Sequence, residues 1–279
     1  MKLQPKQILR SWFTGPVQIN NESFKRWHIV LAVVFAVQVA VILLFGVAHN
    51  VPVMVSYNAK DTLQTQLMHQ TITAPAIRQL FSMNISYVLA VYLLVMAGMH
   101  VLFGTALRHS YEAALKQRIV RLRWIVYGVV YALMLLAVAF TAGVHDAGTL
   151  LGTVIFAAIA GLAGLAGEAL LAQPAKRDGQ FRAAFGAIAA LAAVAPFISI
   201  ALFILDTNLF GGTTVSGYVY AMLATVMLWA VATVANMCLL SQKRGKWATY
   251  AYGERWYLLL SVVLQSLLAW EIFVAVLRP

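Results

Sequence analysis

Long apolar stretches alternate with short polar segments along the whole chain. The apolar stretches cover residues 27–48, 80–107, 124–144, 150–172, 181–205, 218–240 and 256–277. Each is close to the ~20 residues that an α-helix needs to cross the hydrocarbon core of a bilayer. The pattern therefore predicts an all-α membrane protein with seven transmembrane helices, which are called span 1 to span 7 in chain order.

The placement of positive charge predicts the orientation of these spans. Hydrophobic residues make up 62% of the chain and charged residues 10%, with a net charge of +11. In a soluble protein such a charge would suggest nucleic acid, but here it follows the topology. All lysines and arginines except Lys60, Arg78 and Arg278 fall in the N-terminal segment or in the second, fourth and sixth gaps between spans. Because cytoplasmic loops are enriched in these residues, we expect the N-terminus inside and the C-terminus outside.

The connection between spans 1 and 2, residues 49–79, is the longest. It contains a β-forming run from Val51 to Tyr57, followed by Thr71-Ile-Thr-Ala-Pro75, so we expect a small external hairpin. Residues 1–279 are predicted to form one domain, with residues 1–26 as a cytoplasmic N-terminal segment. Cys238 is the only cysteine, which excludes a disulfide within the chain.

Spans 4 and 5 are rich in small residues. Span 4 contains Gly161, Gly164 and Gly167, and span 5 continues the theme with alanines at 183, 187 and 190. A nucleotide-binding glycine loop requires a preceding strand and an aqueous phosphate site, which a membrane span does not offer. Small residues let helix backbones approach closely, so we expect a close helix–helix contact here, either as a packing face within the subunit or as the interface of a homodimer. Pro196 is expected to kink span 5 and to free a carbonyl about one turn earlier.

The last third of the chain carries the most distinctive sequence. Gly245-Lys-Trp is followed by Gly253-Glu-Arg255 and then by Ala269-Trp-Glu-Ile-Phe273. This order resembles the last inner loop and seventh helix of the heliorhodopsin family. Arg123-Trp-Ile-Val-Tyr127 and Gly217-Tyr-Val-Tyr220 are similar to the starts of that family's third and sixth helices. The resemblance implies a rhodopsin-like bundle with an inverted, N-inside orientation and a retinal site.

The chain departs from the family at the residues that hold retinal. The resemblance places Gln265 where the family has its Schiff-base lysine, and no other lysine lies in a predicted span. It places Val126 at the position of the carboxylate counterion. A carboxamide cannot condense with an aldehyde, and a buried carboxylate without a cation would be an unpaired charge in the membrane. The resemblance also matches His100 to a histidine of the family pocket, Phe35 to that histidine's partner, and Gln38 to a family glutamine.

We expect the candidate site to be formed by polar and aromatic residues of the chromophore region. These are Gln265, Val126, Gln38, Phe35, His100, Tyr131, Phe197, Trp229, Ser261 and Trp270. The two glutamines can line a polar pocket or can join neighbouring helices by hydrogen bonds. The histidine can serve as a proton relay or can be a neutral residue bonded to the next helix. The aromatic rings can line a ligand cavity or can pack as core.

Loss of the chromophore leaves a volume that collapses, holds water or binds another ligand. Phe35 and Trp229 add bulk, so we expect partial collapse, with Gln265 hydrogen-bonded to Gln38, Ser261 or water.

Two acidic residues lie near the ends of the spans. We expect Glu271 to pair with Arg78 or Arg278 or to be solvated. Glu168 is expected to be solvated or paired at the inner end of span 4.

Three functions remain open at this stage, and no enzyme motif, metal motif or nucleic-acid motif is present. The leading hypothesis is a non-photochemical signalling or scaffolding protein of the cell membrane, a homodimer that binds a cytoplasmic protein through its basic loops. The second is a protein that binds an apolar ligand non-covalently, such as retinal, a carotenoid or a lipid. The third is a transporter or channel.

Overall fold

A computed structural model describes residues 21–172, 179–243 and 245–278. The first 20 residues of the predicted N-terminal segment and the side chain of Ala183 lie outside the described part. Within these ranges, seven helices are long and apolar enough to cross a membrane, which confirms the predicted number of spans. Their bounds are Asn21–Phe45, Ile85–Gly104, Arg121–Thr141, Ala147–Ala172, Gly179–Phe210, Gly217–Gln242 and Tyr250–Leu277.

Two of these bounds differ from the prediction in ways that matter for the site. Span 2 begins at Ile85, because the apolar residues before it belong to a strand and the Asn84 side chain caps the helix by accepting from Ser86 N–H. Span 7 begins at Tyr250, so that Glu254 lies inside the helix rather than in the preceding loop. The hydropathy pattern placed the start of each of these two spans at its first apolar residue. Such a pattern does not detect that residues 80–84 pair in a strand or that Glu254 is buried within a helix.

The long connection after span 1 folds as the expected hairpin. Strand β1 (Asn50–Lys60) pairs antiparallel with strand β2 (Thr73–Asn84), with an irregularity between Val53 and Met54. A short helix, Thr62–Met68, joins the two strands. Met54 N–H donates to the His145 carbonyl at 2.8 Å, which fastens the hairpin to the connection between spans 3 and 4. This side of the molecule is called the hairpin end.

The opposite side carries a short helix, Arg108–Gln117, and a 3₁₀ turn, Gly245–Ala248. It is called the basic end, since its loops hold most of the cationic residues. Each of spans 1 to 4 packs against the next span, and span 7 packs against span 6. Among the described spans, span 3 is the most buried and span 5 the least. Span 3 is therefore the central helix of the bundle.

The glycines of span 4 pack inside the subunit. A Cβ placed on Gly161 would lie 2.6 Å from Gly128 Cα in span 3, and a Cβ on Gly164 would overlap the indole ring of Trp124. The expected close helix–helix contact is therefore confirmed for Gly161 and Gly164 as packing within the subunit. The dimer alternative is wrong for these two residues, because span 3 already covers them. Ala187 of span 5 is exposed and remains open to a partner.

Pro196 lies within a continuous helix. The Tyr131 hydroxyl donates to the Ala193 carbonyl at 2.8 Å, in the turn that precedes the proline. The proline itself leaves the carbonyl of Ala192, four residues earlier, without its helical donor, so the tyrosine from span 3 bonds the carbonyl next to the freed one.

Candidate functional site

Gln265 lies midway along span 7, at the end of a π-helical segment, Ser261–Gln265. Its side chain is fully buried. The Tyr92 hydroxyl of span 2 donates to its backbone carbonyl at 2.7 Å. Neither atom of its carboxamide has a hydrogen-bond partner among the described residues. π-Helical turns inside α-helices occur frequently at functional sites, and here one coincides with an unpartnered polar group.

The two residues expected to bind the Gln265 side chain each have another partner. Gln38 of span 1 donates through Nε2 to Ser266 Oγ at 2.8 Å. Ser261 Oγ lies 2.6 Å from the Tyr127 hydroxyl of span 3. The predicted direct bond from Gln265 to Gln38 or Ser261 is therefore wrong. The hydroxyl of Ser266, one residue further along span 7, binds Gln38 instead of the Gln265 side chain.

The aromatic residues of spans 3, 5 and 6 come together beside this region. The ring centroids of Trp229 lie 5.3 Å from those of Tyr127 and 5.7 Å from those of Tyr131. Phe197 lies 6.5 Å from Tyr131. The Trp229 indole N–H is buried and has no partner in the part of the chain that the structure describes. Tyr127 was not among the predicted site residues, although it belongs to the motif that carried the resemblance.

Two predicted site residues lie away from this cluster. Trp270 is 39% exposed and contacts Phe273. It follows Gln265 by five residues, which at 3.6 residues per turn places it roughly 140° around the helix. Val126 is half-buried, and the hydrogen bonds from span 3 to span 7 come from the next residue, Tyr127.

His100 is hydrogen-bonded to a neighbouring helix, and its partner is a histidine that the sequence had not singled out. Its Nδ1 lies 2.8 Å from Nδ1 of His28 in span 1. Phe35 stacks on the His100 ring at 5.7 Å with an interplanar angle of 7°. His28 and Phe35 are seven residues apart, two helical turns, so both face span 2. That spacing is the signal that could have identified His28.

A buried ion cluster lies at the basic end. Arg123 of span 3 binds Glu168 of span 4 through Nη2 and Glu254 of span 7 through Nη1, and all three side chains are at most 5% exposed. The Tyr250 hydroxyl accepts from Arg123 at 3.0 Å and donates to Glu168 at 2.5 Å. Tyr111, on the Arg108–Gln117 helix, donates to Glu254 at 3.0 Å. Three spans and one loop helix are therefore joined through a single guanidinium.

This cluster corrects one expectation and decides another. Arg123 had been counted with the loop cations and is instead buried inside span 3. Of the two alternatives expected for Glu168, pairing is confirmed. Burial raises the pKa of the Tyr111 hydroxyl, and the charge of Glu254 raises it further. Tyr111 therefore stays protonated and remains a donor to that carboxylate.

Glu271, near the hairpin end of span 7, does not pair with an arginine. Its Oε1 accepts from the Thr225 hydroxyl of span 6 at 3.0 Å. The expected pair with Arg78 or Arg278 is wrong, because the carboxylate turns toward span 6 rather than toward the hairpin.

Comparison with known families gives one match. The heliorhodopsin family profile matches residues 24–277. The chain belongs to the heliorhodopsin family. No curated protein matches it. Family membership together with the seven apolar helices confirms an integral, multi-pass, rhodopsin-like membrane protein.

Heliorhodopsins in general bind retinal. Span 7 of this heliorhodopsin, Tyr250–Leu277, contains no lysine. Lys25 lies in the first turns of span 1 at the basic end, and the remaining described spans contain none. Within the described ranges, no group of three or more histidine, cysteine or acidic residues could hold a metal ion. The groups around Gln265 of this heliorhodopsin are thus an uncharged amide, an indole N–H and aromatic rings.

We expect replacement of Gln265 by leucine to leave the stability of this heliorhodopsin unchanged or to raise it. The substitution breaks no hydrogen bond to the protein, and a buried amide without partners costs about 1–3 kcal/mol. Gln38→Leu is the matched control, because it removes the bond to Ser266 and should cost about 1 kcal/mol. Unfolding in a denaturing detergent measures both. A loss for Gln265→Leu that equals or exceeds the control would show that the amide binds water or a ligand.

Proposed function

We propose that this heliorhodopsin forms no retinal Schiff base and acts as a non-enzymatic membrane protein without photochemistry. The observation that supports this proposal is the identity of Gln265. It is fully buried midway along span 7, in a helix that contains no lysine. An amide nitrogen does not condense with an aldehyde, and no described span places a lysine at mid-depth in its stead.

We further propose a signalling or scaffolding role through the basic end, on the cytoplasmic side of the cell membrane. Support comes from the ion cluster, in which Arg123 connects spans 3, 4 and 7 to the Arg108–Gln117 helix through Glu254 and Tyr111. A change in the relative position of these spans would therefore reach a loop that can contact a cytoplasmic protein. We also propose that the protein is a homodimer, with the exposed alanines at 187 and 190 of span 5 as the contact.

Retinal reconstitution tests the proposal. We expect the purified wild-type protein, given all-trans retinal, to show no red-shifted band sensitive to hydroxylamine and no adduct after borohydride reduction. The variant Gln265→Lys with Val126→Glu supplies the missing amine and counterion, and it controls for access of retinal to the pocket. A visible wild-type band that borohydride fixes to the protein would refute the loss of Schiff-base chemistry.

A second candidate function is non-covalent binding of an apolar ligand, such as retinal, a carotenoid or a lipid. It is favoured by the unpartnered polar atoms beside the aromatic rings: both amide atoms of Gln265, Gln38 Oε1 and Trp229 Nε1. Such a set matches an apolar molecule that carries one polar group. Solvent extraction of the purified protein followed by mass spectrometry distinguishes the two candidates, since a stoichiometric molecule would make ligand binding the leading function. Transport is less favoured, because the buried carboxylates of Glu168 and Glu254 are both bound to Arg123.

A further inference from the structure

A cleft of about 340 Å³ opens at the basic end, between the end of the Arg108–Gln117 helix and the start of span 7. Its size is at the lower limit of typical small-molecule sites. None of the predicted residues around Gln265 lines it. The cleft is therefore separate from the region around Gln265, and its properties do not depend on whether the protein binds retinal.

Two cationic side chains line this cleft, Lys116 and Arg118. Neither forms an ion pair with a carboxylate in the described part of the chain. Arg118 is half-buried, and its Nη2 lies 3.5 Å from the Ala248 carbonyl on the other wall, so that its guanidinium reaches across the cleft. Positive charge is thus concentrated in a concave site without an internal counterion.

The other wall contains the N-terminus of span 7. Thr249 precedes the first helical residue, but its hydroxyl donates to the Lys246 carbonyl at 3.1 Å instead of capping the helix. The N–H groups of Tyr250 and Ala251, both lining residues, have no acceptor within the helix. Helix N-termini attract anions through such N–H groups and through the helix dipole. The two basic side chains and this helix N-terminus therefore both favour an anionic ligand.

The nearest buried carboxylates do not offset the preference of the cleft for an anion. Glu168 and Glu254 do not line the cleft. They are at most 5% exposed and are bound to Arg123. Glu112, on the same helix as Lys116, is bound to Arg108 at 2.8 Å. The charged residues that line the cleft are all cationic.

We propose that this cleft binds a phosphate group, supplied by an anionic lipid headgroup or by free phosphate. Basic pockets between helices at a membrane surface are suited to lipid headgroups. The bound group would lie beside Tyr250, whose hydroxyl contacts both Glu168 and Arg123. Occupancy of the cleft would therefore act on the residue that joins the basic end to the ion cluster.

Native mass spectrometry of the full-length protein with dioctanoyl phosphatidylglycerol tests this proposal. We expect one tightly bound lipid per subunit, and weaker binding of the zwitterionic phosphatidylcholine. Arg118→Asn should reduce the affinity for the anionic lipid about fivefold, which corresponds to the ~1 kcal/mol that a basic residue contributes near anionic headgroups. Asparagine is chosen because it tolerates the left-handed backbone of this position, φ 62°.

Lys243→Asn is the matched control, because Lys243 is also a cation in a left-handed C-terminal position, φ 51°, but does not line the cleft. It should bind the lipid as the wild type does. Displacement of the lipid by inorganic phosphate, but not by chloride at equal ionic strength, would show that the site takes free phosphate. Retention of the lipid would assign the site to headgroups. Equal affinities for the wild type and Arg118→Asn, or equal losses in both variants, would overturn the proposal.

Discussion

Replacement of Arg123 by methionine should destabilise the protein by about 3–5 kcal/mol, the usual cost of removing one partner from a buried ion pair. The change would leave Glu168 and Glu254 buried without their shared cation. It would also remove the guanidinium that lies 4.0 Å from the centroid of the Tyr257 ring. Unfolding by a denaturing detergent, followed by tryptophan fluorescence, measures the loss.

Arg121→Met is the matched control for this prediction. Arg121 lies two residues earlier on the same helix and is exposed, so its replacement should change stability by less than about 0.5 kcal/mol. Adding Glu168→Gln and Glu254→Gln to Arg123→Met should recover much of the loss, because no buried charge then lacks a partner. The assignment of the cluster as a structural link fails if Arg123→Met is as stable as Arg121→Met.

The fold could be predicted from the sequence because hydropathy and charge act locally. A run of apolar residues near the thickness of the bilayer predicts a span wherever it occurs, and the seven spans were found this way. The hairpin was also predictable, because its β-forming residues lie within one loop. The family was indicated by motifs that are each continuous in sequence.

The site was less predictable, because its contacts join distant parts of the chain. Arg123 and Glu254 both lie in motifs that carried the resemblance, but nothing local indicates that they meet across 131 positions. Gln265 was singled out by the resemblance, and its side chain is buried in span 7. Its expected bond to Gln38 does not form, since a one-residue change in rotation brings Ser266 to Gln38 instead. The π-helical segments of span 7 alter that rotation and leave no signal in a hydropathy pattern.

The glycines of span 4 show that helix packing, too, is only partly predictable from the sequence. A sequence of small residues predicts that another helix approaches closely, but it does not say which helix or from which subunit. The structure assigns Gly161 and Gly164 to span 3 of the same subunit. The homodimer proposal then rests on the exposed face of span 5, where Ala187 remains accessible.

Substitution of Gly164 by alanine should therefore lower stability by about 1–3 kcal/mol, the usual cost of overpacking. The added Cβ would overlap the Trp124 ring, which cannot move freely because its Nε1 donates to Glu168 at 2.9 Å. Gly152→Ala is the control on the same helix, since a Cβ there meets no atom within 4 Å. That change should be neutral or stabilising, because alanine favours helix by up to about 1 kcal/mol.

Detergent unfolding measures both alanine variants, and light scattering of the protein–detergent complex measures their mass. We expect Gly164→Ala to lose stability while the mass stays that of the wild type, because the contact lies between spans 3 and 4 of one subunit. A smaller mass of Gly164→Ala without a loss of stability would show that Gly164 lies at the interface between subunits. Equal stability of the two variants would show that Trp124 adapts to the added methyl group, and that the close approach of spans 3 and 4 does not depend on a glycine at position 164.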